Sequence, residues 1–187
     1  MAIEKLHEMY GIPHVIVTSI RDSADPSTIT VVGSSARSDH TPRIFRVEVP
    51  AIDCYFSGTG DMFAALTVVR LREASTKIGV TDTRSWLPAD NVSSTDLPLA
   101  KATERVLTSM QAVLRKTKMA RDRELARLSG SQGVLEREND SEKRIALRRA
   151  KAAEVRVVRC LDDLKTTDNG WKATSVDTLT AAQRRLD

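Results

Sequence analysis

A chain of 187 residues, 41% hydrophobic and 29% charged, is sized and composed for one globular domain with a core of its own. Its net charge of +4 is unevenly spread: between Arg115 and Arg159 there are 14 basic against 7 acidic residues, so the basic character belongs to one segment. No apolar run reaches the roughly 18 residues that a spanning helix needs, which excludes a helical membrane protein. Aromatic residues make up only 4%, so the core must rest on Val, Ile, Leu and Ala. Cys54 and Cys160 are far apart and have neither metal-ligand spacing nor the makings of a disulfide framework. The first residues carry Glu4, His7 and Glu8 and do not read as a signal peptide. A cytoplasmic protein is expected.

In chain order, Ile3, Leu6, His7 and Tyr10 fall at helical spacing, and Gly11-Ile12-Pro13 ends that helix. His14 to Ser19 reads as a strand buried on both faces. A helix feeding such a strand is half of a βαβ unit, whose first strand would lie before Met1. Ser27 to Gly33 and Arg43 to Val49 are two further strand-like runs, the second alternating with period 2. The polar linker Ser34 to Pro42 makes them a hairpin. Pro50 to Ser57 leads into a Gly-rich turn.

Beyond Asp61, the run Met62 to Leu71 is apolar all round, which predicts a helix buried in the middle of a domain. A polar loop, Ser75 to Ser94, precedes a helix that Thr95 or Asp96 would cap, with Pro98 in its first turn. Leu99, Thr103, Val106, Leu107, Met110, Val113 and Leu114 mark its apolar face. From Lys118 to Ala152 the chain becomes charge-dense, and Ser129-Gly130-Ser131-Gln132-Gly133 would break a helix. Val155 to Cys160 reads as a late strand, and Leu161 to Asp187 as a poorly ordered polar tail. The organisation expected is therefore residues 1–117, a charged insertion at 118–152, a late strand of the same domain within 153–162, and a tail at 163–187.

The chemistry concentrates in Ser57-Gly58-Thr59-Gly60-Asp61. A Gly-rich turn opening into a helix exposes backbone N–H groups that have no intrahelical partner, at the positive end of the helix dipole. Gly58 and Gly60 let a phosphate approach the backbone, and Thr59 adds a hydroxyl. A carboxylate at Asp61 would repel a merely bound anion. It makes sense as a general base that takes the proton from an acceptor hydroxyl. The same four residues also occur as an ordinary turn, since Asp suits any helix start. The small-residue approach, the apolar helix that follows and the upstream strand favour the catalytic reading.

The pattern Asp-x-x-Phe-x-Gly-Thr-Gly-Asp-x-Phe-x-Ala, Asp53 through Ala65, closely resembles pyridoxal kinases of the ribokinase superfamily. Val15-Ile16-Val17-Thr18-Ser19 resembles the family strand whose Thr-Ser end meets the nucleotide phosphates. Val113 to Thr117 is similar to the helix that follows the nucleotide site. Sugar kinases of the superfamily more often show Gly-Ala-Gly-Asp, so Thr59 and Phe63 favour the vitamin kinase branch. The likeness covers about Ile3 to Thr117, then weakly Val155 to Asp162.

The resemblance implies an α/β fold, the C-terminal half of a ribokinase-like three-layer sandwich with an incomplete sheet. It also implies ATP-dependent phosphorylation of the 5′-hydroxymethyl group of pyridoxal, pyridoxine or pyridoxamine in vitamin B6 salvage. Asp61 would be the base, and Gly58, Thr59 and Gly60 the anion hole. Thr18 and Ser19 would meet the nucleotide phosphates, with Thr18 also touching a monovalent cation. Ile52, Asp53 and Cys54 would border the nucleotide. ATP, Mg2+ and K+ or Na+ are the implied cofactors, and a homodimer is the implied assembly of the full-length family. The family's vitamin pocket and lid lie mostly in an N-terminal half with no counterpart here. The alternatives are a hydroxymethylpyrimidine or sugar kinase of the same superfamily, or a truncated, non-catalytic nucleotide-binding fragment.

The basic stretch has interspersed acids and no aromatic residue between Lys118 and Leu161, so a solvated face is expected there and nucleic acid is not. His7, His14 and His40 sit in different elements and are read as structural or exposed.

Overall fold

The computed structural model describes residues 2–130, 147, 150–165 and 170–176. They divide into two compact units. One takes residues 1–51, 65–108 and 168–187, and the other residues 52–64 and 109–167.

The first unit is built on a four-stranded sheet in the order β1-β2-β3-β4, with every pairing antiparallel. Helix α1 (Ala2–Tyr10) precedes it, and the Gly11 N–H closes onto the His7 carbonyl at 3.0 Å to end that helix. Strand β1 (His14–Ile20) is half-buried over its first three residues and exposed over its last four. It is thus an edge strand of an antiparallel sheet rather than the doubly buried strand of a βαβ unit. Strands β2 (Thr28–Ala36) and β3 (Pro42–Pro50) form the expected hairpin, with a tighter connection than the sequence suggests. Ser34, Ser35 and Ala36 belong to β2, where the hydroxyls of the two serines find a buried and a half-buried histidine as partners. His7 Nε2 lies 2.8 Å from Ser34 Oγ, and His14 Nδ1 lies 2.9 Å from Ser35 Oγ.

Phe45 and Val47 are wholly buried, and Phe45 lies opposite Gly33 in the register. A Cβ at Gly33 would sit 2.2 Å from the tip of the Phe45 ring, so only glycine leaves room for the aromatic side chain. Arg43 is also buried, and its guanidinium donates to the carbonyls of Ala89 (2.8 Å) and Ala36 (2.9 Å). That ties the loop after the 3-10 turn Arg84–Trp86 to the hairpin.

Helix α2 (Thr59–Lys77) forms where the apolar run predicts it, but it is not sheathed in core. Val68 and Val69 are 66% and 54% exposed, whereas Arg70 and Ser75 are buried. Arg70 is drawn in because Glu73 pairs with both Arg70 (2.8 Å) and Arg105 (2.9 Å). Helix α3 (Pro98–Gly130) starts with Pro98 at its first position. Neither Thr95 nor Asp96 caps it. Instead the Ser93 hydroxyl accepts from the Thr95 N–H and caps the preceding 3-10 turn Ser94–Asp96. The face Leu99, Thr103, Val106, Leu107, Met110 and Val113 is buried as its spacing predicts. α3 passes through Thr117 and Lys118 without interruption, so the change in composition there is not a change in secondary structure. Of Ser129-Gly130-Ser131-Gln132-Gly133, expected to break it, Ser129 and Gly130 still belong to α3 and the other three lie outside the described residues.

Two late elements differ from expectation. Val155 to Cys160 is not a strand: Glu154 makes a single parallel bridge to Ser57, and Val157–Cys160 is a 3-10 turn leading into the short helix α4 (Leu161–Lys165). The polar tail, where described, is docked. β4 (Thr174–Ser175) pairs with β3, the buried Glu104 carboxylate accepts the Ala173 N–H at 2.8 Å, and Ser94 donates to Ser175. Among the described residues no helix is long and apolar enough to cross a membrane.

Candidate active site

The second unit contains the Gly-rich turn. Its approach is tied down on one side only. The Ser57 N–H donates to the Ala153 carbonyl, and the Val155 N–H to the Ser57 carbonyl, both at 3.1 Å. The segment 153–156 is itself held by α3, since the buried Thr117 hydroxyl accepts the Arg156 N–H at 3.2 Å. Lys116, one residue earlier, pairs with Asp163 of α4 at 2.6 Å. A relay of backbone and side-chain contacts thus runs from α3 through 153–156 to Ser57 and fixes where the turn begins.

Gly58 follows with φ of +85°, in the left-handed region that L side chains rarely adopt, and Val155 Cγ2 lies 3.1 Å from where a Cβ would be. Its carbonyl accepts the Met62 N–H, the first helical bond of α2. The N–H groups of Thr59, Gly60 and Asp61 therefore occupy the first turn of a 19-residue helix, where no carbonyl four residues earlier can pair with them. Nothing would approach a Cβ at Gly60 within 4 Å. Gly58, Gly60 and Asp61 are exposed and Thr59 is half-buried, so the turn presents its donors and the Asp61 carboxylate to solvent, while Met62 next to them is buried. Backbone donors without an intrahelical partner thus lie beside an exposed carboxylate at the positive end of the helix dipole.

Of the remaining candidate residues, Ile52, Asp53 and Cys54 lie in the same unit, on the approach to the turn. The Cys54 N–H closes a tight turn onto the Ile52 carbonyl at 2.8 Å, and its thiol donates to the Tyr55 carbonyl. Asp53 is exposed. Thr18 and Ser19 belong to the other unit. They sit in a β-bulge at the exposed end of β1: the pairing shifts between Val17 and Ile20, and Ser19 has φ of +62°. Both side chains are thereby released from the sheet register and exposed.

Sequence reasoning missed this bulge and the supporting roles of Thr117 and Val155. Thr-Ser at a strand end was a visible signal for the bulge. Nothing local marks Thr117 or Val155, whose partners lie 39 or more residues away. Among the described residues no group of three or more His, Cys, Asp or Glu could hold a metal ion.

No protein-family model matches the chain. A Schizosaccharomyces pombe protein named "Putative pyridoxal kinase C18.10" is 33% identical over 122 residues, which is 64% of this chain and 34% of that protein. A Dictyostelium discoideum pyridoxal kinase is 33% identical over 69 residues, 35% of this chain and 22% of that protein. The chain thus spans about a third or less of the curated relatives it matches. In structure, Leishmania donovani pyridoxal kinase in complex with ADP superposes with a TM-score of 0.57 at 17% identity, over 90% of this chain and 41% of that one. Plasmodium falciparum PdxK with AMP-PNP and PL gives 0.52 at 13% identity, over 88% and 38%. In sequence and in fold, the chain resembles one part of the pyridoxal kinases and of the ribokinase-like architecture they share.

Proposed function

We propose that the chain carries the phosphoryl-transfer centre of an ATP-dependent pyridoxal kinase. The observation that carries this reading is the Gly58–Asp61 turn. Its left-handed glycine, unpaired first-turn N–H groups and exposed carboxylate are what transfer to a hydroxyl requires, in a chain similar to pyridoxal kinases over 122 residues. The vitamer's 5′-hydroxyl oxygen attacks the γ-phosphorus of ATP, the bond to the β-phosphate oxygen breaks, and ADP leaves. Asp61 accepts the hydroxyl proton. The N–H groups of Thr59, Gly60 and Asp61, with the Thr59 hydroxyl, meet the charge spread over the phosphoryl oxygens. The released Thr18 and Ser19 side chains serve the nucleotide phosphates, with a monovalent cation at Thr18, and Ile52, Asp53 and Cys54 border the nucleotide. Mg2+ arrives on the nucleotide phosphates, which suits an ion that keeps waters and few protein ligands. Residues 118–152 are an insertion, the protein is cytoplasmic, a homodimer is the assembly that the resemblance to the full-length family implies, and nucleic acid is not a substrate.

The test is turnover of pyridoxal with ATP by the purified chain, read as ADP release. Asp61→Asn should lower the rate about 10²- to 10⁴-fold, the usual weight of a positioned general base. Nucleotide binding and thermal unfolding should stay unchanged, because Asp61 is exposed. An Asn variant as active as the parent would remove Asp61 from the mechanism. One observation favours a second reading, a non-catalytic nucleotide-binding fragment: the chain spans 34% of its Schizosaccharomyces pombe relative. Nucleotide binding by the parent chain without any turnover would establish it.

A further inference from the structure

The basic segment that phosphoryl transfer leaves unused has a definite shape within the second unit. One face of α3, at residues 120, 123, 124 and 127, forms one wall of an open groove of about 820 Å³. The segment from Lys151 to Arg159 forms the other wall. Among the described residues, five lining side chains are cationic (Arg123, Arg127, Lys151, Arg156 and Arg159) against two acids, Glu124 and Glu154, a net of +3. Arg156 is held in place by Glu124 at 3.0 Å. Arg123, Lys151 and Arg159 make no ion pair among the described residues. Between the charges lies apolar surface: Val155 and Val157 are half-buried, and Val158 is 80% exposed.

We propose that this groove docks an acidic peptide segment of a partner protein, one that alternates carboxylates with aliphatic side chains. Two features select that chemistry. Arg123 on one wall and Lys151 and Arg159 on the other offer three cations with no ion pair among the described residues. An extended peptide, whose alternate side chains repeat at about 6.6 Å, sets its carboxylates against these cations. The exposed Val158 and its neighbours then receive the intervening aliphatic groups, which a purely electrostatic polyanion does not supply. Among the described residues the groove lining includes no aromatic side chain on which a nucleic acid base could stack.

Fluorescence anisotropy with the full chain tests this, using a fluorescein-labelled peptide of about eight residues that alternates Glu and Leu. The comparison probes are Gln-Leu and Glu-Gly peptides and a single-stranded oligonucleotide, each of about the same length. The Glu-Leu peptide should bind tightest and weaken as salt rises. Combining Arg123→Glu with Arg159→Glu should weaken it about tenfold, and Val158→Ser about threefold, with unfolding temperature unchanged because these side chains lie at the surface. The proposal is overturned if the Glu-Leu peptide does not bind, or binds no better than the Glu-Gly peptide. It also falls if the oligonucleotide binds more tightly, or if the variants leave peptide binding unaltered.

Discussion

In the β2–β3 hairpin nine consecutive residue pairs face one another, and Phe45 and Val47 at its centre are wholly buried. The turn from Ser57 to Asp61 has two backbone bonds to residues 153–155 and one carbonyl inside α2, and it leaves Gly58, Gly60 and Asp61 exposed. Both regions depend on a glycine, for opposite reasons. Gly33 is required because a ring fills the place of its side chain, whereas Gly58 is required because the backbone takes a positive φ. The first region is held by packing and the second by conformation, so the first should govern stability and the second the proposed chemistry. Substitutions should separate the two properties.

The largest effect is expected in the hairpin. Phe45→Ala should cost about 3–5 kcal/mol of unfolding free energy, the usual range for emptying a buried aromatic site. Gly33→Ala should cost about 1–3 kcal/mol, because its methyl group must displace the ring. The two should not add: with the ring removed, a methyl group at residue 33 meets no obstacle, and Gly33→Ala in the Phe45→Ala background should be nearly neutral. A chemical-denaturation cycle on the four proteins measures this. Additive costs would show that Gly33 matters for its backbone and not for the ring.

The same contrast explains what could be read in advance. The hairpin was legible because its period-2 pattern in Ile44 to Val49 is a local consequence of one buried face. The buried face of α3 was legible for the corresponding helical reason. The turn was legible through its residue types, since a Gly-rich entry to a helix with an Asp has few physical uses. What could not be read depends on distant partners. α2 looks apolar over Met62 to Leu71, yet Val68 and Val69 lie open while Arg70 is buried, because the Glu73 carboxylate is near enough to compensate its charge. Val155 to Cys160 has strand-like residue types, but among the described residues its pairing is limited to the bridge of the neighbouring Glu154 with Ser57, closed by the Val155 N–H. The docking of residues 173–175 depends on Glu104, 69 residues away from Ala173.

An intermediate effect should come from Gly58→Ala, which forces an L side chain to φ of +85° and a methyl group to within 3.1 Å of Val155 Cγ2. The conformational cost is about 1–2 kcal/mol. If the turn relaxes to escape it, the N–H groups of Thr59 and Gly60 turn away from the phosphate. Nucleotide affinity should then fall more than the unfolding temperature does, the reverse of Gly33→Ala. Calorimetric titration with ATP beside thermal unfolding distinguishes them. An equal loss of both would mean that the turn contributes to packing as the hairpin does.

The smallest effect concerns pH and belongs to the hairpin side. His14 is half-buried between Ser35 Oγ (2.9 Å) and the Ser85 carbonyl (2.7 Å). Burial lowers its pKa from the ordinary 6.5, outweighing the raising effect of the Ser85 carbonyl, and His7 and Arg43 push in the same direction as burial. A histidine with a depressed folded pKa binds fewer protons folded than unfolded. Its contribution is therefore complete above pH 6.5 and declines as pH falls below that value. Asp25, Asp39 and Asp90 are also lowered, by hydrogen bonds from Ser27, Thr41 and Ser38 respectively, but their window opens only near and below pH 3.8. Unfolding temperature should therefore decline in two separate steps on acidification. His14→Gln should abolish the step below pH 6.5 and leave the more acid one in place, because the aspartates keep their own hydroxyl partners. If the upper step persisted in that variant, protonation of His14 would not be its source.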